Sequence, residues 1–275
     1  MKVGALCAGY GGIELGLSKI VKTELAWVSE IEPNASRLLQ HRYGVPNHGD
    51  LTKIGVEDEV LFTESIEPVD IITAGFPCQP FSVAGDRKGV NDERWLIDDV
   101  CRIARITEAK WLILENVRGI LTANEGDAMG RVCASMARHG FSRWEWLTLR
   151  ASDIGAAHRR ERWFCLATNS AGIRSQLQWK ELRLEKKDRE PCSLNGFGPY
   201  EPAIARWAGG IGRPPPAPTD EIGITVEFLE WLMGLPEKHV SGVDISRTAK
   251  VKMLGNGVIP LQGSVALEIL LERIS

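Results

Sequence analysis

The sequence predicts an α/β fold: a doubly wound, mainly parallel sheet with a small irregular lobe. Three observations predict it. Short apolar runs alternate with stretches of helical spacing along the first 168 residues. A glycine-rich turn follows the first apolar run. The chemically distinctive segments stand at the carboxyl ends of apolar runs, where ligands bind in open α/β sheets.

In order, residues 3–7 (VGALC) read as a first strand and 13–20 as a helix. Residues 24–29 (ELAWVS) read as a second strand and 33–43 as a helix. Residues 69–73 (VDIIT) form a third strand that runs into Gly75-Phe76-Pro77. Residues 111–114 (WLIL) form a fourth, ending at Glu115-Asn116. A helix over 127–139 and a strand over 163–167 (WFCLA) follow. After Thr168 the composition turns polar, charged and rich in Pro and Gly up to residue 222. Trp179, Phe197, Tyr200 and Trp207 offer that stretch apolar anchors, so a small, loosely structured lobe is expected rather than a linker. Helical spacing returns from Val226, and 261–272 reads as a closing helix. The chain thus divides as 1–168, 169–222 and 223–275.

A chain of 275 residues with 44% hydrophobic content can bury one sizeable core. It has no run of eighteen apolar residues, so no membrane span is expected. No basic stretch followed by a long apolar one opens the sequence, so secretion is not expected. Its six cysteines, Cys7, Cys78, Cys101, Cys133, Cys165 and Cys192, share no metal-finger spacing. They fit free thiols in a reducing, cytoplasmic setting. The net charge of −3 leans against a nucleic-acid partner, but phosphate binding needs only a local basic surface. Arg159, Arg160 and Arg162 supply one such cluster. Arg174, Lys180, Arg183, Lys186, Lys187 and Arg189 form a second, which reads equally well as a solvated helix face because Glu181, Glu185 and Asp188 interleave with it.

Ala8-Gly9-Tyr10-Gly11-Gly12 lies between a strand and a helix, so its backbone amides can approach a ligand at the positive end of the helix. Glu30 ends the second strand, where a carboxylate accepts hydrogen bonds from ribose hydroxyls. Glu14 stands where the dinucleotide pattern has its third glycine, which favours a nucleoside cofactor without a pyrophosphate over NAD. In Gly75-Phe-Pro-Cys-Gln-Pro-Phe-Ser82, two prolines hold Cys78 in a rigid turn at the sheet edge. A lone cysteine is more often structural than catalytic. Glu115, at a buried strand end, can have a raised pKa and donate a proton near neutrality, although capping the next helix is an alternative role. Arg160 and Arg162 precede the 163–167 strand and either face the same crevice or form an exposed basic turn. A thiol, a protonated carboxyl and arginines suit addition to C6 of a cytosine, which makes C5 able to attack a methyl donor. On a duplex that chemistry requires the base to be flipped out.

Over nearly its whole length the sequence resembles the DNA cytosine-5 methyltransferase family, in its compact phage, prophage or bacterial form. Leu6-Cys-Ala-Gly-Tyr-Gly-Gly12 resembles that family's S-adenosylmethionine loop. Gly75–Ser82 matches its catalytic loop, Glu115-Asn116-Val117 its ENV signature, Arg160-Glu161-Arg162 its RxR signature, and Gly255-Asn256-Gly257-Val258 its last motif. The resemblance implies a Rossmann-like S-adenosylmethionine-dependent methyltransferase that releases S-adenosylhomocysteine and uses no metal. It implies Cys78, Glu115, Arg160 and Arg162 as catalytic residues. It implies Ala8, Gly9, Tyr10, Gly11, Gly12, Glu30, Ile31, Asp50, Leu51, Pro77, Asn256 and Gly257 as cofactor-binding. Phe76, Pro77, Gln79, Ser82, Asn116 and Val117 would meet the DNA. It further implies 169–222 as target-recognition region, a return of 223–275 to the catalytic domain, and double-stranded DNA as partner to a monomer. A restriction endonuclease accompanies some such enzymes.

Four positions depart from the family pattern: Cys7 for a Phe, Trp95 for a Gly, His158 for a Gln, and a reduced signature at Trp231-Leu-Met-Gly-Leu-Pro236. One branch of the family acts on tRNA and usually carries a CFT signature, which is not found here. A non-catalytic DNA-binding regulator is the remaining alternative, and the intact Cys78, Glu115, Arg160 and Arg162 weigh against it.

Overall fold

Six strands form one mixed sheet in a computed structural model that describes residues 1–56, 66–77, 96–174 and 197–274. Cys78, Gln79, Ser82, Trp95, Trp179, Cys192 and the second basic cluster beyond Arg174 lie outside the described residues. The strands are β1 (Lys2–Leu6), β2 (Glu24–Ser29), β3 (Ile71–Ala74), β4 (Trp111–Val117), β5 (Arg143–Arg150) and β6 (Glu161–Thr168). Their spatial order is β2-β1-β3-β4-β6-β5. The first four pair in parallel, whereas β6 runs antiparallel to both β4 and β5.

Nine helices of the described residues connect or cover the strands: α1 (Gly12–Leu17), α2 (Pro33–Tyr43), α3 (Ile97–Ile106), α4 (Asp127–Arg138), α5 (Ser170–Arg174), α6 (Glu201–Ile211), α7 (Val226–Leu232), α8 (Arg247–Asn256) and α9 (Pro260–Ile274). The central strands are buried on both sides, and the period of two sorts their side chains. On β4, Leu112 and Leu114 join Val100 and Ile103 of α3 and Val132 and Met136 of α4. Trp111 and Ile113 face the other way, toward Ile13 and Leu17 of α1 and Leu267, Leu270 and Ile274 of α9. Helices on both faces make the sheet doubly wound, as expected.

Strand β5 and helix α3 add to the expected elements. Strand β4 also runs three residues further than its apolar core, to Val117, because its pairing with β6 continues through Glu115 and Asn116.

A third cluster gathers Tyr10 with Ala35 and Leu38 of α2, Trp207 and Ala208 of α6, and Phe228 and Trp231 of α7. Trp207 Nε1 donates to the Trp231 carbonyl at 3.0 Å, and Phe197, Phe228 and Trp231 stack in series. Phe197 and Trp207 are thus the anchors the sequence offered. Tyr200 is not, being 71% exposed. The described part of the expected loose lobe, 169–222, holds helices α5 and α6 and strand β7 (Thr219–Asp220), which pairs in a short hairpin with β8 (Gly223–Ile224) just beyond it. The stretch Arg247–Ile274 is long and apolar enough to cross a membrane by composition. It is, however, split between α8 and α9, and α9 packs into the sheet's core.

Candidate active site

The loop after β1 turns sharply. Cys7, Gly9 and Gly11 take left-handed φ values of 51°, 57° and 81°. This costs glycine little and a side-chain residue such as Cys7 more. The Gly9 amide donates to Glu30 Oε2 at 2.9 Å, and Glu32 N donates to Oε1 at 2.9 Å. A carboxylate has about four lone-pair sites, so Glu30 keeps capacity for further donors. Ile31 beside it is 72% exposed. Asp50 Oδ1 accepts from Thr52 N and Oγ1 at 3.0 and 2.8 Å, which fixes the carboxylate, while Leu51 is buried. Burial pushes the Cys7 thiol up to about 12, with Glu30 and Asp50 adding to the effect, so the thiol stays neutral.

Beyond Gly9 there is open space where a side chain would stand. An adenosyl group fits this setting. Glu30 and Asp50 present carboxylate acceptors of the kind its hydroxyl and amino groups would need, and Ile31 an exposed apolar surface of the kind a flat ring would need.

Tyr10 does not face that space. Its ring is fully buried, its hydroxyl donates to the Val258 carbonyl at 2.7 Å, and its own carbonyl accepts from His239 Nε2 at 2.7 Å. A Cβ on Gly257 would fall inside the Tyr10 ring, and one on Gly12 would collide with the Val258 carbonyl. Glycine at 12 and 257 therefore lets the 255–258 turn close against the first loop. His239 gave no signal in the sequence, because its role depends on a contact 229 residues away.

The second half of the site joins β3, β4 and β6. Arg162 Nε lies 2.8 Å from Glu115 Oε1. Burial raises the pKa of Glu115, and the charges of Arg162 and then Arg160 pull it partly back. Asn116 Nδ2 donates to the Phe76 carbonyl at 3.3 Å, and its Oδ1 accepts from Val117 N at 2.8 Å. Glu115 Oε2 lies 3.4 Å from where a Cβ of Gly75 would stand, with the Cys7 carbonyl at 3.7 Å. The turn Gly75–Pro77 is thereby tied to the end of β4, and the next residue is Cys78. Phe76 sits in the core, with its backbone at the site.

Arg160 is placed differently from Arg162. Its guanidinium donates to the carbonyls of Gly255 at 2.5 Å, Asn256 at 2.8 Å and Gly257 at 2.7 Å. It thus caps the C-terminal end of α8, where carbonyls lack helical partners. Burial lowers the pKa of His158, whose Nδ1 accepts from Arg160 N at 3.4 Å.

A family model described as C-5 cytosine-specific DNA methylase matches residues 1–204. The chain belongs to this family. Among curated relatives, the type II methyltransferase M.BsuFI of Bacillus subtilis is 37% identical over 158 residues, covering 57% of this chain and 36% of the relative. The type II methyltransferase M2.BsuMI of Bacillus subtilis strain 168 is 27% identical over 292 residues, covering 94% and 72%. The chain thus spans about a third of the first relative's length and almost three quarters of the second's. The S. pombe Dnmt2 methyltransferase structure superposes with a TM-score of 0.63 at 16% identity, covering 100% of this chain and 99% of that one. At that identity it shares the fold, and the C-5 methylase assignment rests on the family match.

Proposed function

We propose that this chain is an S-adenosylmethionine-dependent DNA cytosine-5 methyltransferase with Cys78 as nucleophile. The observation that carries the proposal is the buried Glu115–Arg162 pair, held against the turn that leads into Cys78. Glu30, Ile31, Asp50 and the Gly9 backbone would hold the cofactor, which supplies an electrophilic methyl group when bound.

The Cys78 thiolate adds to C6 of a cytosine flipped out of the duplex. Glu115, its proton favoured by burial, protonates or hydrogen-bonds N3 and so disperses the charge that addition creates. Arg162 holds O2 and keeps Glu115 oriented. C5 would then take the methyl group that the cofactor supplies, leaving S-adenosylhomocysteine. Loss of the C5 proton to water, return of any N3 proton to Glu115 and expulsion of the Cys78 thiolate restore the aromatic ring. Arg160 acts at one remove, by fixing the 255–257 turn behind the cofactor loop. Residues 169–222 are the proposed target-recognition region.

The test is trapping on duplex DNA containing 5-fluorocytosine, where the fluorine blocks release. The wild type should form a covalent adduct that Cys78→Ser does not, while Cys78→Ser still binds DNA. No Cys78-dependent adduct would sink the proposal. Methyl transfer to tRNA but not duplex DNA in a parallel assay would move the substrate to RNA.

A further inference from the structure

The chain carries 33 basic and 36 acidic residues, so a local surplus of arginine stands out against its own background. One lies at the reaction edge of the sheet. Val117 pairs with Arg162 and Arg150 pairs with Glu161. Arg118 and Arg150 therefore leave β4 and β5 on either side of the start of β6, close to Glu115 and Arg162. Both turn toward a single carboxylate oxygen. Arg118 Nη1 is 3.6 Å and Arg150 Nε is 3.7 Å from Glu161 Oε2. These distances exceed the roughly 2.9 Å of an N–H···O bond, so the pairs are ionic contacts rather than hydrogen bonds. The side chains of Arg118 and Arg150 are 64% and 57% exposed. The other nearby carboxylate, Asp153, accepts the Arg150 main-chain N–H at 3.0 Å. Arg159 is exposed on the same edge.

We infer that Arg118 and Arg150 form a seat for a DNA backbone phosphate beside the reaction site, with Glu161 holding the two guanidiniums together until the phosphate arrives. The inference rests on the duplex-DNA reading above. Exposed pairs of this kind contribute little to stability, so they do not account for two arginines converging on one carboxylate. A guanidinium presents a planar fork that matches a phosphate's paired oxygens, and two forks flanking one weakly held carboxylate leave donors directed outward. Such contacts fix register on the duplex without reading its sequence.

The test is binding of a mixed-sequence duplex, followed by anisotropy across a salt series. Variants are Arg118→Gln, Arg150→Gln, both together, and the charge-retaining pair Arg118→Lys/Arg150→Lys. Arg138→Gln, at the far end of the sheet, is the control. Each lost phosphate contact should flatten the plot of log affinity against log salt by about 0.9. The double Gln variant should lose that one contact in full, each single variant should lose less, and the double Lys variant should keep most of it. Melting temperatures close to the wild type's identify folded variants. An unchanged slope in the folded double Gln variant overturns the inference, as does an equal loss in Arg138→Gln. A wild type that binds no duplex at low salt sinks the DNA reading itself, which is a separate result.

Discussion

Arg162 Nε and Glu115 Oε1 sit 2.8 Å apart, with only 13% and 9% of their side chains exposed. Arg162 lowers the pKa of Glu115 while burial raises it, and burial is the larger effect. Arg162→Gln should therefore raise the Glu115 pKa further. If the protonated carboxyl does the work, the alkaline fall in single-turnover rate moves to higher pH even as the rate drops. Glu115→Gln should slow transfer strongly at unchanged cofactor affinity. A Glu115→Gln enzyme whose loss lies in cofactor binding would place Glu115 in the wrong half of the site.

Arg160 holds three backbone carbonyls at the end of α8. Hydrogen bonds from charged groups are worth about 1.5–3 kcal/mol each, though not additively. Arg160→Gln should speed amide exchange around 255–258 and lower the melting temperature. Unchanged protection there would show that the turn does not depend on Arg160.

Gly257 cannot accept a Cβ without displacing the Tyr10 ring. Gly257→Ala should cost about 1–3 kcal/mol in chemical unfolding, the usual penalty for overpacking. In a Tyr10→Leu background the same change should cost less, because the obstructing ring is gone. Equal costs in both backgrounds would locate the strain elsewhere.

Glu14 is buried under the glycine loop. The Thr73 hydroxyl donates to its Oε1, and its Oε2 has no hydrogen-bond partner among the described residues. Burial raises its pKa above the unfolded value of about 4.3. The folded state then holds this proton more tightly than the unfolded state. The associated stability is present below the unfolded pKa and is lost as pH rises through the folded one. Glu14→Gln keeps the acceptor for Thr73 and removes the titration. Its melting temperature relative to the wild type should rise steadily from pH 4 to pH 8, and a constant difference would contradict the linkage.

Much of this was legible in the sequence because it is local. The glycines of residues 9–12, the apolar runs of β1, β3 and β4, and helix α2 at 33–43 depend on near neighbours. What escaped is of two kinds. Strand β5 has one buried side chain, Leu147, among eight residues, so an edge strand with a wet face left no apolar run to read. Helix α3 did carry a helical pattern, in Ile97, Val100, Cys101, Ile103 and Ala104, which its charged residues interrupt. The divergent placement of Arg160 and Arg162 lay beyond reach. Neighbouring positions in a strand point to opposite faces, but these two share a face by spacing, and only the distant 255–257 turn draws Arg160 away.

Helix α9 packs on α1, with the Pro260 carbonyl 2.6 Å from where a Gly16 Cβ would stand. This sets an order of events during synthesis. Residues 12–17 are made well before residues 257–274, yet the sheet covers only part of their apolar surface and the late segment completes it. The glycine loop is finished by the same late segment, through Val258 and Tyr10. A nascent chain can pair β1 with β2 and β3 early, but it can close around a ligand only once residues 257–274 have been made. Contacts of such long range close slowly and leave apolar surface exposed meanwhile.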